Sequence, residues 1–193
     1  MLDWTVACRV GLVLWLGGAG LLKLRDRTGF RRAVHHYRIL PRGVGRLYAE
    51  GVPLAELVSS LFLLSGVAVG LGALLAGLLL ASFAVAVATN LYRGRDLDCH
   101  CFGSRARMPI GPHTLAADLS LLLPAVALLT NAVRHGGLLA SGWPIRGGSP
   151  TAGSFVIGLG YALAVGLIYL IWGSWHPVSS QTSSVRTARS WEE

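Results

Sequence analysis

The sequence predicts an all-α, polytopic membrane helical bundle, and three observations lead there. Of 193 residues 53% are hydrophobic, only 13% are charged, and the mean hydropathy is +0.56. A domain with an ordinary water-facing surface does not reach that balance. The apolar residues also come in runs of about 20, the length that crosses a bilayer as a helix. The basic residues, finally, gather in alternate loops instead of spreading along the chain, which is how multi-pass proteins fix their orientation.

Five runs qualify as spans: Trp4 to Leu24, Val52 to Gly70, Leu71 to Tyr92, His113 to Val133, and Ser154 to Trp172. No charge interrupts the chain between Glu56 and Arg93. At ~1.5 Å per residue one helix of that length overshoots the ~30 Å hydrocarbon core, so the chain folds back. The glycines of GVAVGLG, residues 66–72, are the expected turn. The first run opens as MLDWTVACRV, without a basic leader or a small-residue cleavage site, and reads as a retained span. Between the first two spans, residues 25–50 set Phe30, Val34, Tyr37 and Leu40 at helical spacing among arginines. That pattern predicts a short amphipathic helix on the membrane surface. The organisation is then a four-helix core over residues 1–133, a Gly/Ser/Pro-rich loop over 134–153, a fifth transmembrane helix over 154–173 and a disordered tail over 174–193. There is no long-period repeat and no glycine-rich phosphate loop.

Of the 17 Lys and Arg residues, all but Arg9, Arg134 and Arg146 fall in the loop after the first span, the loop after the third, or the tail. The positive-inside rule assigns that side to the cytoplasm and the N-terminus to the outside. The net charge of +8 is thereby explained by topology and attraction to anionic lipid, and nucleic acid is not an expected partner. Five crossings also bring His35, His36, Glu56, Asn90, Cys99, His100, Cys101, His113 and Asp118 to one end of the bundle. Cys8 belongs at the other end, out of reach of Cys99 and Cys101, as a small apolar side chain.

Chemistry concentrates in DLDCHCFGSRAR, residues 96–107. A disulfide needs Cα atoms ~4.4–6.8 Å apart, which residues separated by one reach only in a bent backbone. A Cys99–Cys101 bridge is therefore expected to be strained, readily reduced, and suited to exchange with a partner. Arg95 and its neighbours, His100 when protonated, and the start of the fourth span favour the reactive thiolate. Gly103 supplies a residue free to take φ > 0 where the chain turns back. Two other readings stand beside this one. The thiolates could join His100 and His113, or His35 and His36, around zinc or copper, although CxC is not the usual CxxC spacing. Alternatively, the cysteines only shape the loop.

Charged residues inside the spans are expensive and need partners. Glu56 and Asp118 lie near span ends and are expected to pair with Lys23 or with arginines near the headgroups, in preference to relaying protons. Arg9 is expected to snorkel to the interface, and His35 and His36 to be surface residues.

NLYRGRDLDCHCFG, residues 90–103, resembles the N-x-x-R-G-r-x-x-x-C-x-C-F-G signature of the MauE family, a branch of the DoxX-like membrane proteins. GLLKLRDRTGFRRAVHHYRILP, residues 20–41, is similar to the family's first block through Lys23, Phe30, Tyr37 and Pro41. VPLAELVSSLFLLSG, residues 52–66, is similar to its second through Pro53, Glu56 and Gly66. The resemblance runs over roughly residues 5–133 and implies a four-helix core, leaving the fifth span as an addition. It implies a multi-pass protein of the bacterial cytoplasmic membrane, required for maturation of the disulfide-rich small subunit of methylamine dehydrogenase beside a thioredoxin-like partner. It carries the redox role onto Cys99 and Cys101, with Phe102 and Gly103 completing the block and His100, Arg95, Asn90 and Glu56 in support. The expected activity is thiol–disulfide exchange with a partner protein or a quinone-linked carrier; the alternative is a non-enzymatic assembly subunit. An exported substrate requires the cysteines outside, whereas the arginines put them inside.

Overall fold

The computed structural model describes residues 4–95, 97–99, 108–139 and 152–175. It is built from α1 (Trp4–Arg25), α2 (Arg27–Tyr37), α3 (Arg42–Ser65), α4 (Val69–Tyr92), the two-residue strands β1 (Asp98–Cys99) and β2 (Met108–Pro109), α5 (Pro112–His135) and α6 (Ala152–Trp175). Among the described residues α1, α3, α4 and α5 are long and apolar enough to cross a membrane, and Gly153–Leu167 of α6 forms a shorter apolar helix. The chain is thus an all-α, multi-pass membrane bundle.

α1 packs on α3 and α6, and α4 packs on α3 and α5. The main core joins Leu12 and Leu16 of α1, Leu63 of α3, Ala73, Ala76 and Leu80 of α4, and Leu121 and Ala125 of α5. Alanines and glycines let these backbones approach closely, which matters where lipid removes the hydrophobic drive for helix association. A Cβ on Gly20 would stand 3.1 Å from the Pro53 carbonyl oxygen of α3. One on Gly158 of α6 would stand 2.6 Å from the Ala7 carbonyl oxygen of α1. The Tyr161 hydroxyl donates to the Ser120 carbonyl at 2.7 Å and ties α6 to α5 as well. Cys8 is half-buried against the main core.

Three expectations need correction. The short amphipathic helix expected within residues 25–50 is α2, but the second span begins earlier than expected. Asp26 caps α2 by accepting from the Gly29 N–H at 3.0 Å, and α2 ends at Arg38 in the left-handed region. Pro41 disfavours helix at the residue before it and starts α3 at Arg42, so α3 begins ten residues ahead of the expected Val52 and Leu40 lies between helices. The turn between the second and third spans is tighter than the glycine run implied. Gly66 (φ 75°) and Ala68 (φ 49°) make it, while Gly70 and Gly72 continue into α4 as contact points.

Arg9, the third, does not snorkel. It is 5% exposed and its Nε donates to the Leu63 carbonyl at 2.8 Å. Leu63 is in the last turn of α3, whose carbonyls lack partners within the helix. The Arg9 guanidinium of α1 satisfies one of them.

Candidate functional site

The end of the bundle that carries the cysteine loop is assembled from the C-terminal ends of α1, α2 and α4 and the N-terminal parts of α3 and α5, as the parity of crossings requires. Two polar arrangements hold it.

The deeper one is an ion pair between Lys23 of α1 and Glu56 of α3, with side chains 1% and 0% exposed. The Lys23 ammonium also stands 4.4 Å from the ring centroid of Phe83 and 5.1 Å from that of Phe30. Two aromatic faces and a carboxylate thus replace the water that a buried cation loses. Glu56 is a structural counter-charge, as its depth in the sequence suggested.

The shallower arrangement builds the neck of the loop. Asn90, fully buried, donates from Nδ2 to the Ala86 carbonyl at 2.9 Å and accepts at Oδ1 from Arg95 Nη1 at 3.2 Å. The same Nη1 donates to the Tyr37 carbonyl at 3.1 Å, in the last turn of α2. Arg95 therefore pins the chain leaving α4 to the end of α2, and its own N–H bonds the Asn90 carbonyl at 3.1 Å. Two residues later the chain pairs with its return. The Ile110 N–H donates to the Leu97 carbonyl at 2.8 Å, and Asp98 and Cys99 pair antiparallel with Pro109 and Met108. Val87, Ile110 and Ala117 form a small core beneath, with Tyr37, Leu91 and Leu97 against it.

Of the expected site residues, the structure gathers Asn90, Arg95 and the Cys99 backbone at this neck and puts Glu56 deeper, on Lys23. His100, Cys101, Phe102 and Gly103 lie outside the described residues. His113 is on the first turn of α5 with Nε2 3.2 Å from the Thr114 hydroxyl. His35 and His36 are exposed on α2, and Asp118 is buried in α5. Among the described residues no group of three His, Cys, Asp or Glu side chains is placed to hold a metal. Sequence reasoning missed that the Tyr37 carbonyl is what Arg95 grips. A helix ending at Tyr37 leaves carbonyls in need of donors, and this was the available signal.

The family model described as methylamine utilisation protein MauE matches residues 1–131. The chain belongs to the MauE family. Among relatives, the methylamine utilization protein MauE of Paracoccus denitrificans is 34% identical over 133 residues, covering 64% of this chain and 67% of its own. That of Methylorubrum extorquens is 31% identical over 173 residues, covering 88% of this chain and 84% of its own. The second match is too long to stop at residue 131 and runs into α6, so similarity within MauE is not confined to the four-helix core. No solved structure matches. In this MauE chain the matched region contains both the Lys23–Glu56 pair and the Asn90–Arg95–Tyr37 clamp.

Proposed function

We propose that this MauE-family chain is a membrane-embedded thiol–disulfide redox protein whose Cys99 and Cys101 exchange two electrons with a partner, in the maturation of a disulfide-containing enzyme of methylamine utilisation. The observation that supports this most is the clamped neck. Arg95, on Asn90 and the Tyr37 carbonyl, and the β1–β2 pairing hold both strands of the loop against the bundle, with Cys99 at the last paired position. Exchange requires a sulfur that a partner can approach in line, on a backbone anchored against recoil. A loop whose base is anchored in this way meets that need.

The exchange itself balances, two electrons passing from the cysteine pair to the partner, and the pair is then restored by an outside thiol reductant. One thiolate attacks a sulfur of the partner's disulfide, forming a mixed disulfide and releasing a partner thiolate, which takes up a proton. The second cysteine then attacks the mixed bond, leaving a Cys99–Cys101 disulfide and a partner dithiol. Run in reverse, the pair oxidises the partner and is itself recharged by a thioredoxin-like protein or a quinone-linked carrier. Arginine in the neck and near the loop favours the thiolate form.

The test is a single-cysteine trap in the full-length membrane protein. With Cys99→Ser or with Cys101→Ser, one of the two variants is expected to accumulate a reductant-sensitive covalent complex with its partner, and the double variant none. Methylamine-dependent growth of a host lacking its own copy is expected to fail with Cys99→Ser/Cys101→Ser although the protein inserts normally. Full growth on that double variant rejects the redox reading.

A further inference from the structure

On the same end of the bundle, α2, the start of α3 and α4 enclose a cavity of about 460 Å³, lined by Phe30, Val34, Tyr37, Val44, Phe83 and Val87 among others. Sites of roughly 300–1,000 Å³ hold small ligands, usually with a few polar groups that orient them. Here the polar groups are engaged elsewhere. Lys23 reaches the cavity, but its ammonium is held by Glu56 and two rings. Ser82 donates to the Leu79 carbonyl at 2.7 Å, and its oxygen lies 2.7 Å from the Tyr48 hydroxyl. What enters this space is hydrocarbon.

The mouth has the opposite character. Ile39, Leu40, Val44 and Val85 are among the lining residues and are exposed, which leaves the cavity open beside the end of α2 and the head of α3. Arg38 and Arg42 are exposed beside those lining residues, and among the described residues neither takes part in an ion pair. Arg46, by contrast, is matched by Glu50 at 3.3 Å. An apolar interior with two exposed arginines at its entrance complements an anionic amphiphile.

We propose that the cavity takes an acyl chain of an anionic phospholipid whose phosphate rests on Arg38 and Arg42. A zwitterionic lipid satisfies the interior and brings a phosphate too, but its headgroup cation offsets that charge at the two arginines. A quinone satisfies neither well, because its ring carbonyls would be buried without donors. The lipid braces the α2–α3 corner against α4, next to the Tyr37 carbonyl that Arg95 holds.

The test uses the full-length protein, delipidated in detergent and titrated with phosphatidylglycerol or phosphatidylcholine of identical chains, read by native mass spectrometry. Phosphatidylglycerol is expected to bind about ten- to thirty-fold more tightly, from roughly three- to five-fold per arginine. Arg38→Gln/Arg42→Gln is expected to bring that ratio below about three-fold while phosphatidylcholine binding is unchanged. Val44→Trp, which obstructs the mouth, weakens both lipids alike. Equal affinity for the two lipids in the unaltered protein, or an undiminished preference in the double variant, overturns the proposal. So does displacement of bound phosphatidylglycerol by equimolar ubiquinone, which gives the cavity to an electron carrier.

Discussion

Lys23 and Glu56 close an ion pair between α1 and α3 with 1% and 0% of their side chains exposed. It sits where Gly20 lets the two helices come within 3.1 Å of a prospective Cβ contact, so neither charge can swing out to water without parting the helices. Such a pair adds little net stability, since the loss of hydration on both ions consumes most of their attraction.

Removing one partner is therefore expected to be far worse than removing both. Glu56→Gln leaves a buried ammonium with only the rings of Phe30 and Phe83, and Lys23→Met leaves a buried carboxylate. Each should cost about 3–5 kcal/mol. Lys23→Met/Glu56→Gln should recover a large part of that loss. Thermal unfolding of the detergent-solubilised protein measures all three, and additive losses in the double variant would show that the two side chains act separately.

The neck of the loop makes a different prediction. Arg95→Gln removes a charged donor from the Tyr37 carbonyl and from Asn90, worth about 1.5–3 kcal/mol for bonds to charged groups. That stabilisation is local, so hydrogen exchange of the Leu97 and Ile110 region should accelerate by about ten-fold or more while amides in the middle of α4 and α5 keep their protection. Asn90→Ala should do much the same, and the double variant should add little, because both act through one network. Uniform acceleration along the bundle would instead make Arg95 a global stabiliser.

These two arrangements were unequally legible in the sequence. The spans were visible because a bilayer imposes their length and excludes their charges, and Glu56 announced a partner because a carboxylate inside a span must have one. Gly70 and Gly72 misled, since glycine marks both tight turns and close helix contacts, and only the neighbouring helix decides which. Ala68 carries no local sign that it will take φ 49°. Arg9 was misread for a related reason: snorkelling is a local expectation, whereas its acceptor on Leu63 is 54 residues away. The Asn90–Arg95 contact lay within five residues and inside a recognisable motif, but the grip on Tyr37, 58 residues distant, depended on where α2 ends.

Two glycines of α6 offer a matched comparison. A Cβ on Gly158 would stand 2.6 Å from the Ala7 carbonyl and 2.8 Å from the Val10 Cβ, whereas at Gly160 nothing lies within 4 Å. Gly158→Ala should push α6 off α1 and lower the melting temperature. Gly160→Ala should be neutral or stabilising by up to about 1 kcal/mol through helix propensity. Equal effects at both positions would mean that α6 does not dock on α1 through this face.

The face of the membrane that carries the cysteine loop sets which partners it meets, and here charge and family role disagree. The arginine bias predicts the loop on the cytoplasmic side, where the partner required by the proposed exchange would be a cytoplasmic thiol or a quinone-linked carrier. Maturation of an exported disulfide protein needs the loop outside. Intact spheroplasts expressing the Cys8→Ser protein, treated with a membrane-impermeant maleimide before and after an impermeant reductant, separate the two. From the charge bias, Cys99 and Cys101 should stay unlabelled until the membrane is opened and then label only after reduction. Labelling of intact cells after the impermeant reductant would establish an external disulfide and reverse the orientation, because no rearrangement inside the bundle can carry one end of α4 across the bilayer. Labelling after opening with no reductant would mean resting thiols, which weakens exchange and strengthens a metal-binding or purely structural loop.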